Sequence, residues 1–287
     1  MKPNSEPFLI LGCGYVGQSL CRVLVGNGQR VIGTSRTEDR RGDILAVGAE
    51  FALYELDADQ PLPHPAPRGV FLLAPPPEEA DTCAARLERV ASQLHGAPLV
   101  VVVSTAIYGT TRGTVTERTH PAPRTERQRR WALMDAAALF LREQGHDVRV
   151  VRTPAIYGPG RDFRAQLLTG AAQVIRPAPP TSRIHVDDLA ALLARMAEPK
   201  GPPILLACDE QPSPTHRVMA EAARLLDVPG PRELSPHEAS AHFSEVGLEM
   251  RLGGHACHSL VRPYLGVRLR YPTYREGLRA CLRGASP

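Results

Sequence analysis

The residues most able to do chemistry stand near the start of the chain. Gly12-Cys13-Gly14-Tyr15-Val16-Gly17 follows a short apolar run and precedes a helical stretch. In that strand–turn–helix setting the first glycine permits a tight turn. The second lets backbone approach a pyrophosphate, and the third lets helix and strand pack closely. The helix N-terminus adds free N–H groups and a positive dipole end, so the pattern predicts dinucleotide binding through Gly12, Gly14, Tyr15, Val16 and Gly17. About 20 positions on, an acidic residue would grip the ribose of NAD. Here the second apolar run ends in Thr34-Ser35-Arg36. A guanidinium at Arg36, with Ser35 beside it, favours the 2′-phosphate of NADP(H) over NAD(H). Glu38 and Asp39 leave NAD(H) open. Asp57 is a candidate for the adenine edge or, equally, a turn cap.

Six apolar runs are strand candidates: Phe8–Leu11, Arg30–Gly33, Phe51–Leu56, Val70–Ala74, Leu99–Val103 and Asp147–Arg152. Helical stretches Val16–Gly26, Glu78–Leu94 and Thr125–Glu143 lie between them. This alternation predicts an α/β fold, a doubly wound parallel sheet of Rossmann type covered on both faces. Beyond residue 160 the pattern loosens into Phe163–Ala172, Val186–Ala197, a strand at Ile204–Ala207, and helices at Thr215–Leu226, Pro236–Phe243 and Tyr274–Leu282. Residues 1–160, with 184–207 returning to them, form the expected dinucleotide-binding domain. Residues 161–183 and 208–287 form a small helix-rich lobe for substrate.

The 287 residues are 43% hydrophobic and 22% charged, with a net charge of +4. That composition excludes a fibrous or disordered chain. No apolar run reaches the roughly 18 residues of a membrane span. The start of the chain has no signal-type apolar region, so a cytoplasmic protein is expected, with no membrane partner. Six scattered cysteines give no disulfide framework. The mild basic balance shows no nucleic-acid stripe. His255-Ala256-Cys257-His258 lacks the spacing of a metal site, so no metal is expected.

Five segments together resemble the extended short-chain dehydrogenase/reductases of the NAD-dependent epimerase/dehydratase type. They are the glycine motif, Val103-Ser104-Thr105-Ala106-Ile107-Tyr108-Gly109, Arg152-Thr153-Pro154-Ala155-Ile156-Tyr157-Gly158-Pro159-Gly160-Arg161, Arg183-Ile184-His185-Val186-Asp187-Asp188, and the stretch from Leu269 to Leu278. The resemblance implies Ser104 at the catalytic serine position and Pro154 near the nicotinamide. It implies His185 and Asp187 at the junction of the two parts; His185 itself is read as an ordinary structural histidine. It also implies a homodimer through helices of the Rossmann domain.

The family's Tyr-x-x-x-Lys pair is missing. No tyrosine occurs between Tyr108 and Tyr157, and no lysine between Lys2 and Lys200. With Asp135 as the register mark, Arg127 takes the tyrosine position and Trp131 the lysine position. Arginine stays protonated and is a poor proton donor. The chain is therefore similar to the atypical, YeeZ-like members. The expected activity is that of an NADP(H)-dependent reductase or epimerase acting on a small polar or anionic substrate. Ser104 would bind a carbonyl oxygen, and Tyr108, Tyr157, Thr105 or water would supply the proton. Arg127 would meet an anionic substrate, and Arg161 and Arg183 flank the cleft. The alternative is a nucleotide-binding sensor without turnover.

Overall fold

The computed structural model describes residues 6–283 except 80, 81, 110, 112 and 200. The start of the chain, Met1–Ser5, therefore lies outside the described residues. The first half carries β1 (Phe8–Leu11), α1 (Tyr15–Gly26), β2 (Val31–Ser35), α2 (Arg41–Ala46), β3 (Glu50–Leu53), β4 (Gly69–Leu72), α3 (Thr82–Ala91), β5 (Leu99–Ser104) and β6 (Thr114–Val115). Next come α4 (Glu126–Glu143), β7 (Val148–Thr153), β8 (Ala155–Tyr157), α5 (Arg164–Leu168), β9 (Gln173–Ile175), β10 (Arg183–His185), α6 (Val186–Met196) and β11 (Ile204–Leu206). The chain ends with α7 (Thr215–Leu226), β12 (Arg232–Leu234), α8 (Pro236–His242), α9 (Glu245–Leu252), β13 (Ala256–Cys257) and α10 (Tyr274–Arg283).

Seven strands form one sheet in the order β11-β7-β5-β4-β1-β2-β3, every pairing parallel. This is the doubly wound α/β architecture the alternating runs predict. β1, β4 and β7 are buried along their whole length; β1 and β4 are nearly all apolar, whereas β7 buries Arg149 and Arg152 by pairing them with Asp147 and Asp135. One core packs α3 and α4 on one sheet face around Leu72, Leu87, Val101 and Ala138. The other packs α1 and α6 on the opposite face around Ile10, Leu20, Leu189 and Leu193. The strand order reverses between β1 and β4. Ligands of such sheets bind at that switch point, outside the C-terminal strand ends.

Several boundaries differ from the sequence expectation. The third strand runs Glu50–Leu53 rather than to Leu56: it is the sheet edge, and its register ends with Leu53 opposite Ser35. The helix expected over 163–172 is only Arg164–Leu168, bounded by left-handed Phe163 (φ 71°) and Gly170 (φ 69°). The helix expected over 78–94 is Thr82–Ala91, with residues 80 and 81 outside the described set. Three small two-stranded pairs, β8 with β10, β9 with β12 and β6 with β13, escaped the sequence reading. Each contributes three residues or fewer per strand, too few for a periodic signal. No helix among the described residues is long and apolar enough to cross a membrane.

Candidate functional site

The glycine motif forms the turn from β1 into α1, at the switch point. Gly12 has φ 85°, and a Cβ there would lie 3.0 Å from the amide nitrogen of Ala74 beyond β4. Gly17 is the close-packing position: a Cβ would meet Cys13 Sγ and Ile10 Cγ2, each at 3.1 Å. Gly14 differs from both, because nothing lies within 4 Å of the place its Cβ would take. The three roles the motif requires are thus met in order: turn, open approach and helix–strand packing. The N-terminus of α1 has no side-chain cap and no acid in its first turn. Its N–H groups face the opening above Gly14 as anion donors, so these residues fit a dinucleotide pyrophosphate.

Around the second strand the charges sort themselves. Arg40 pairs with Asp43 at 3.4 Å, and Arg41 pairs with Glu38 at 3.2 Å. Arg36, immediately after β2 and exposed, has no hydrogen bond or ion pair among the described residues. Ser35 Oγ accepts the N–H of Thr37 (3.2 Å), shaping the turn that carries Arg36. Asp57 is not a turn cap. Both its oxygens accept from buried Arg86, at 2.7 and 2.5 Å, and that guanidinium holds its carboxyl below the usual range. The carboxylate remains half-exposed on the nucleotide side of the sheet end.

A cavity of about 650 Å³ opens beside the motif. Val16, Ser104, Arg127, Trp131, Pro154 and Arg161 all line it. The sheet explains the convergence. Ser104 ends β5 and Pro154 follows β7, in neighbouring parallel strands with Ser104 opposite Thr153. Arg127 and Trp131 lie one turn apart on α4, on the face toward the cavity. The register of α4 is fixed twice. Thr125 and Gln128 form a capping box at its start. Asp135, fully buried, takes two hydrogen bonds from Arg152 of β7 at 2.8 and 2.7 Å. Arg127 and Trp131 thus line the same cavity as Ser104.

Ser104 is half-buried, and its Oγ accepts the N–H of Ala106 at 3.2 Å. Its own proton is available to a carbonyl oxygen. The two tyrosines require a correction. Tyr108 is fully buried: its hydroxyl donates to the Thr116 carbonyl (3.2 Å) and accepts from Arg152 (3.2 Å). Burial pushes its pKa up to about 12. Tyr157 borders the cavity with its ring, but its hydroxyl reaches the Thr273 carbonyl (3.5 Å) and packs on Gly277 of α10. Burial pushes that pKa far up. Both hydroxyls are spent on the interior, so neither is presented to Ser104. Thr105, buried in the cavity lining, and water remain. Tyr15, first in α1, lies under the Arg161 guanidinium at 4.3 Å.

His185 is held in the interior as a structural residue. It is 1% exposed and packs between Tyr157 and Tyr271. Its Nδ1 accepts the N–H of Asp187 (3.2 Å), leaving Nε2 to donate to Cys281 Sγ (3.4 Å). Burial lowers its pKa to about 4, so the ring is neutral. Asp187 accepts from Ser19 of α1 (3.0 Å), and Asp188 accepts the N–H groups of Arg270 and Tyr271 (2.7 and 2.9 Å). Asp187 thus ties α6 to α1, and Asp188 ties α6 to the segment leading into α10. His255, Arg251 and Thr215 also line the cavity and were missed as site residues. They come from the loosely patterned second half, where no motif marks them. Among the described residues no group of histidine, cysteine and acidic side chains could hold a metal.

No protein-family model matches this chain, and no curated protein matches it. Solved structures do. A functionally unknown conserved protein from Silicibacter pomeroyi is 29% identical with a TM-score of 0.80, covering 98% of this chain and 99% of that one. The human epimerase family protein SDR39U1, solved with NADPH, is 19% identical with a TM-score of 0.77, covering 97% and 100%. UDP-glucuronic acid 4-epimerase from Bacillus cereus, in complex with NAD, is 14% identical with a TM-score of 0.70, covering 96% of each chain. The seven-stranded Rossmann-type architecture of this chain is thus shared, over nearly its full length, with nucleotide-binding proteins of the epimerase type.

Proposed function

We propose that this protein binds NADP(H) and acts as a short-chain dehydrogenase/reductase-like oxidoreductase or epimerase on a small carbonyl compound. One observation carries the reading. An uncapped helix N-terminus above an open Gly14 adjoins a cavity where Ser104, Pro154, Arg127 and Trp131 converge. The motif glycines and the first-turn N–H groups of Tyr15 and Val16 hold the pyrophosphate. Arg36 holds the 2′-phosphate, and Asp57, oriented by Arg86, faces the adenine. The NADPH and NAD seen in the two nucleotide-bound neighbours support this class of ligand without choosing between its members.

Hydride transfer is the chemistry a bound nicotinamide supplies. The chain's own residues supply the rest. Ser104 donates to the substrate carbonyl oxygen. Arg127, always charged, stabilises negative charge growing there. Thr105 or water in the cavity carries the proton that a tyrosine brings in the resembling family. The homodimer and the cytoplasmic location belong to this reading as well.

The test is a screen of small carbonyl compounds for NADPH oxidation, with Ser104→Ala beside the wild type. Turnover falling about 100-fold in the variant, with unchanged NADPH affinity, supports the reading. NADPH binding without turnover on any compound favours the second reading, a nucleotide sensor. The absent Tyr-x-x-x-Lys pair is the feature that speaks for it.

A further inference from the structure

The lining of the Ser104 cavity has an uneven charge. Among the described residues around it, four are arginines, Arg127, Arg161, Arg183 and Arg251, and none is Asp or Glu. Arg161 stacks on Tyr15, and Arg251 lies over the Phe243 ring at 3.8 Å and donates to the Gly247 carbonyl. Arg127 stands at the Ser104 end, on α4. Arg183 stands apart from these in its burial.

Arg183 is the first residue of β10 and is only 4% exposed. Its Nη2 donates to Thr181 Oγ1 and to the Ser213 carbonyl, both at 3.2 Å, which fixes the plane of the guanidinium. Its Nη1 is buried with no hydrogen-bond partner. No carboxylate forms an ion pair with it among the described residues. Asp209 is close enough to act on it electrostatically, yet Asp209 Oδ2 is also without a partner. The guanidinium lies over the Tyr274 ring, 5.7 Å from its centroid, but that contact leaves Nη1 without an acceptor, and burying a guanidinium without a paired carboxylate is costly. The guanidinium fork is a shape that carboxylates and phosphates fill with paired hydrogen bonds. Thr181, whose Oγ1 accepts from Arg183, and Thr215 also line the cavity.

We propose that the substrate is a small carbonyl compound bearing a carboxylate or phosphate group, and that Arg183 anchors that acid group at the end of the cavity away from α4. This rests on the reading of the cavity as the reaction site. It assigns the two ends of the substrate: the carbonyl to Ser104, the acid to β10.

The test titrates inorganic phosphate and succinate, by calorimetry, into the full chain saturated with NADPH, so that the nucleotide's own phosphate sites are filled. The proteins are the wild type, Arg183→Gln and Thr181→Val. At least one anion is expected to bind the wild type, and Arg183→Gln to weaken it about tenfold or more at unchanged NADPH affinity. Which anion binds tells carboxylate from phosphate. If Arg183→Gln fails to fold, Thr181→Val, which frees the guanidinium while keeping its charge, is expected to weaken the anion measurably. Failure of both anions to bind, or equal binding to wild type and variants, overturns the proposal and leaves Arg183 as a structural partner of Asp209. Failure of the wild type to bind NADPH refutes the parent reading instead. The same anion titration on the unliganded chain then decides Arg183 separately.

Discussion

Replacing Gly14 with valine should separate nucleotide binding from folding. No atom lies within 4 Å of the Gly14 Cβ position, but its φ of −86° is paired with a ψ of −146°, outside the broad regions of L-residues. The folding cost is therefore backbone strain alone, about 1–3 kcal/mol. Binding should suffer far more. The valine methyls fill the opening through which a pyrophosphate meets the uncapped N-terminus of α1. Losing two charge-assisted hydrogen bonds there, at about 1.5–3 kcal/mol each, weakens NADPH at least 100-fold. Gly12→Ala is the contrasting variant. Its Cβ lands 3.0 Å from the Ala74 amide nitrogen, at a φ of 85° that strains an alanine by about 1–2 kcal/mol. It should also lower the melting temperature, a steric contact being added to the strain. The assays are calorimetric titration with NADPH and thermal unfolding of both variants. Wild-type NADPH affinity in a folded Gly14→Val would refute the assignment of the loop.

Three further outcomes are expected. Arg36→Asp should weaken NADPH by about 2 kcal/mol, roughly 30-fold, and leave NADH unchanged or tighter; equal changes for both would remove Arg36 from the 2′-phosphate. Asp135→Asn leaves the Arg152 guanidinium, 3% exposed, without its carboxylate, and should cost about 3–5 kcal/mol in urea unfolding; a loss under about 1 kcal/mol would contradict the buried pair. Burial raises Asp209 to about 7, so the folded state keeps a proton that the unfolded chain releases above about pH 4. Its contribution is full below that pH and fades, by up to about 4 kcal/mol, as the pH climbs to 7. Asp209→Asn should therefore gain stability relative to wild type between pH 5 and pH 8, and an unchanged difference across that range would refute the raised pKa.

Much of the nucleotide half was legible because its signals are local. The strands of the sheet are apolar runs ended by glycine or polar turns, and the glycine motif sits at a fixed place between strand and helix. Arg127 and Trp131 were singled out through the family resemblance, with Asp135 as the register mark, and the bond between Asp135 and Arg152 holds that stretch of α4 against β7. What sequence could not give was the direction of a hydroxyl. Tyr108 and Tyr157 stand beside the motif residues in sequence, yet one turns to Thr116 and Arg152 and the other to Thr273. Those choices depend on partners up to 116 positions away. The same holds for Asp57, whose partner Arg86 lies across the sheet end on α3. The cavity's far wall comes from α9, β10 and the start of α7, and nothing local in their sequences says which of their side chains meet at the cavity.

The central claim is that the glycine turn and Arg36 form an NADP(H) site opening onto the Ser104 cavity. Titration of the purified chain with NADPH and with NADH tests it directly, following the fluorescence of Trp131, the sole tryptophan, which lines that cavity. Micromolar NADPH binding that quenches Trp131, with clearly weaker NADH binding, is the predicted result. Failure of both nucleotides to bind would contradict the account and leave a Rossmann scaffold turned to another use.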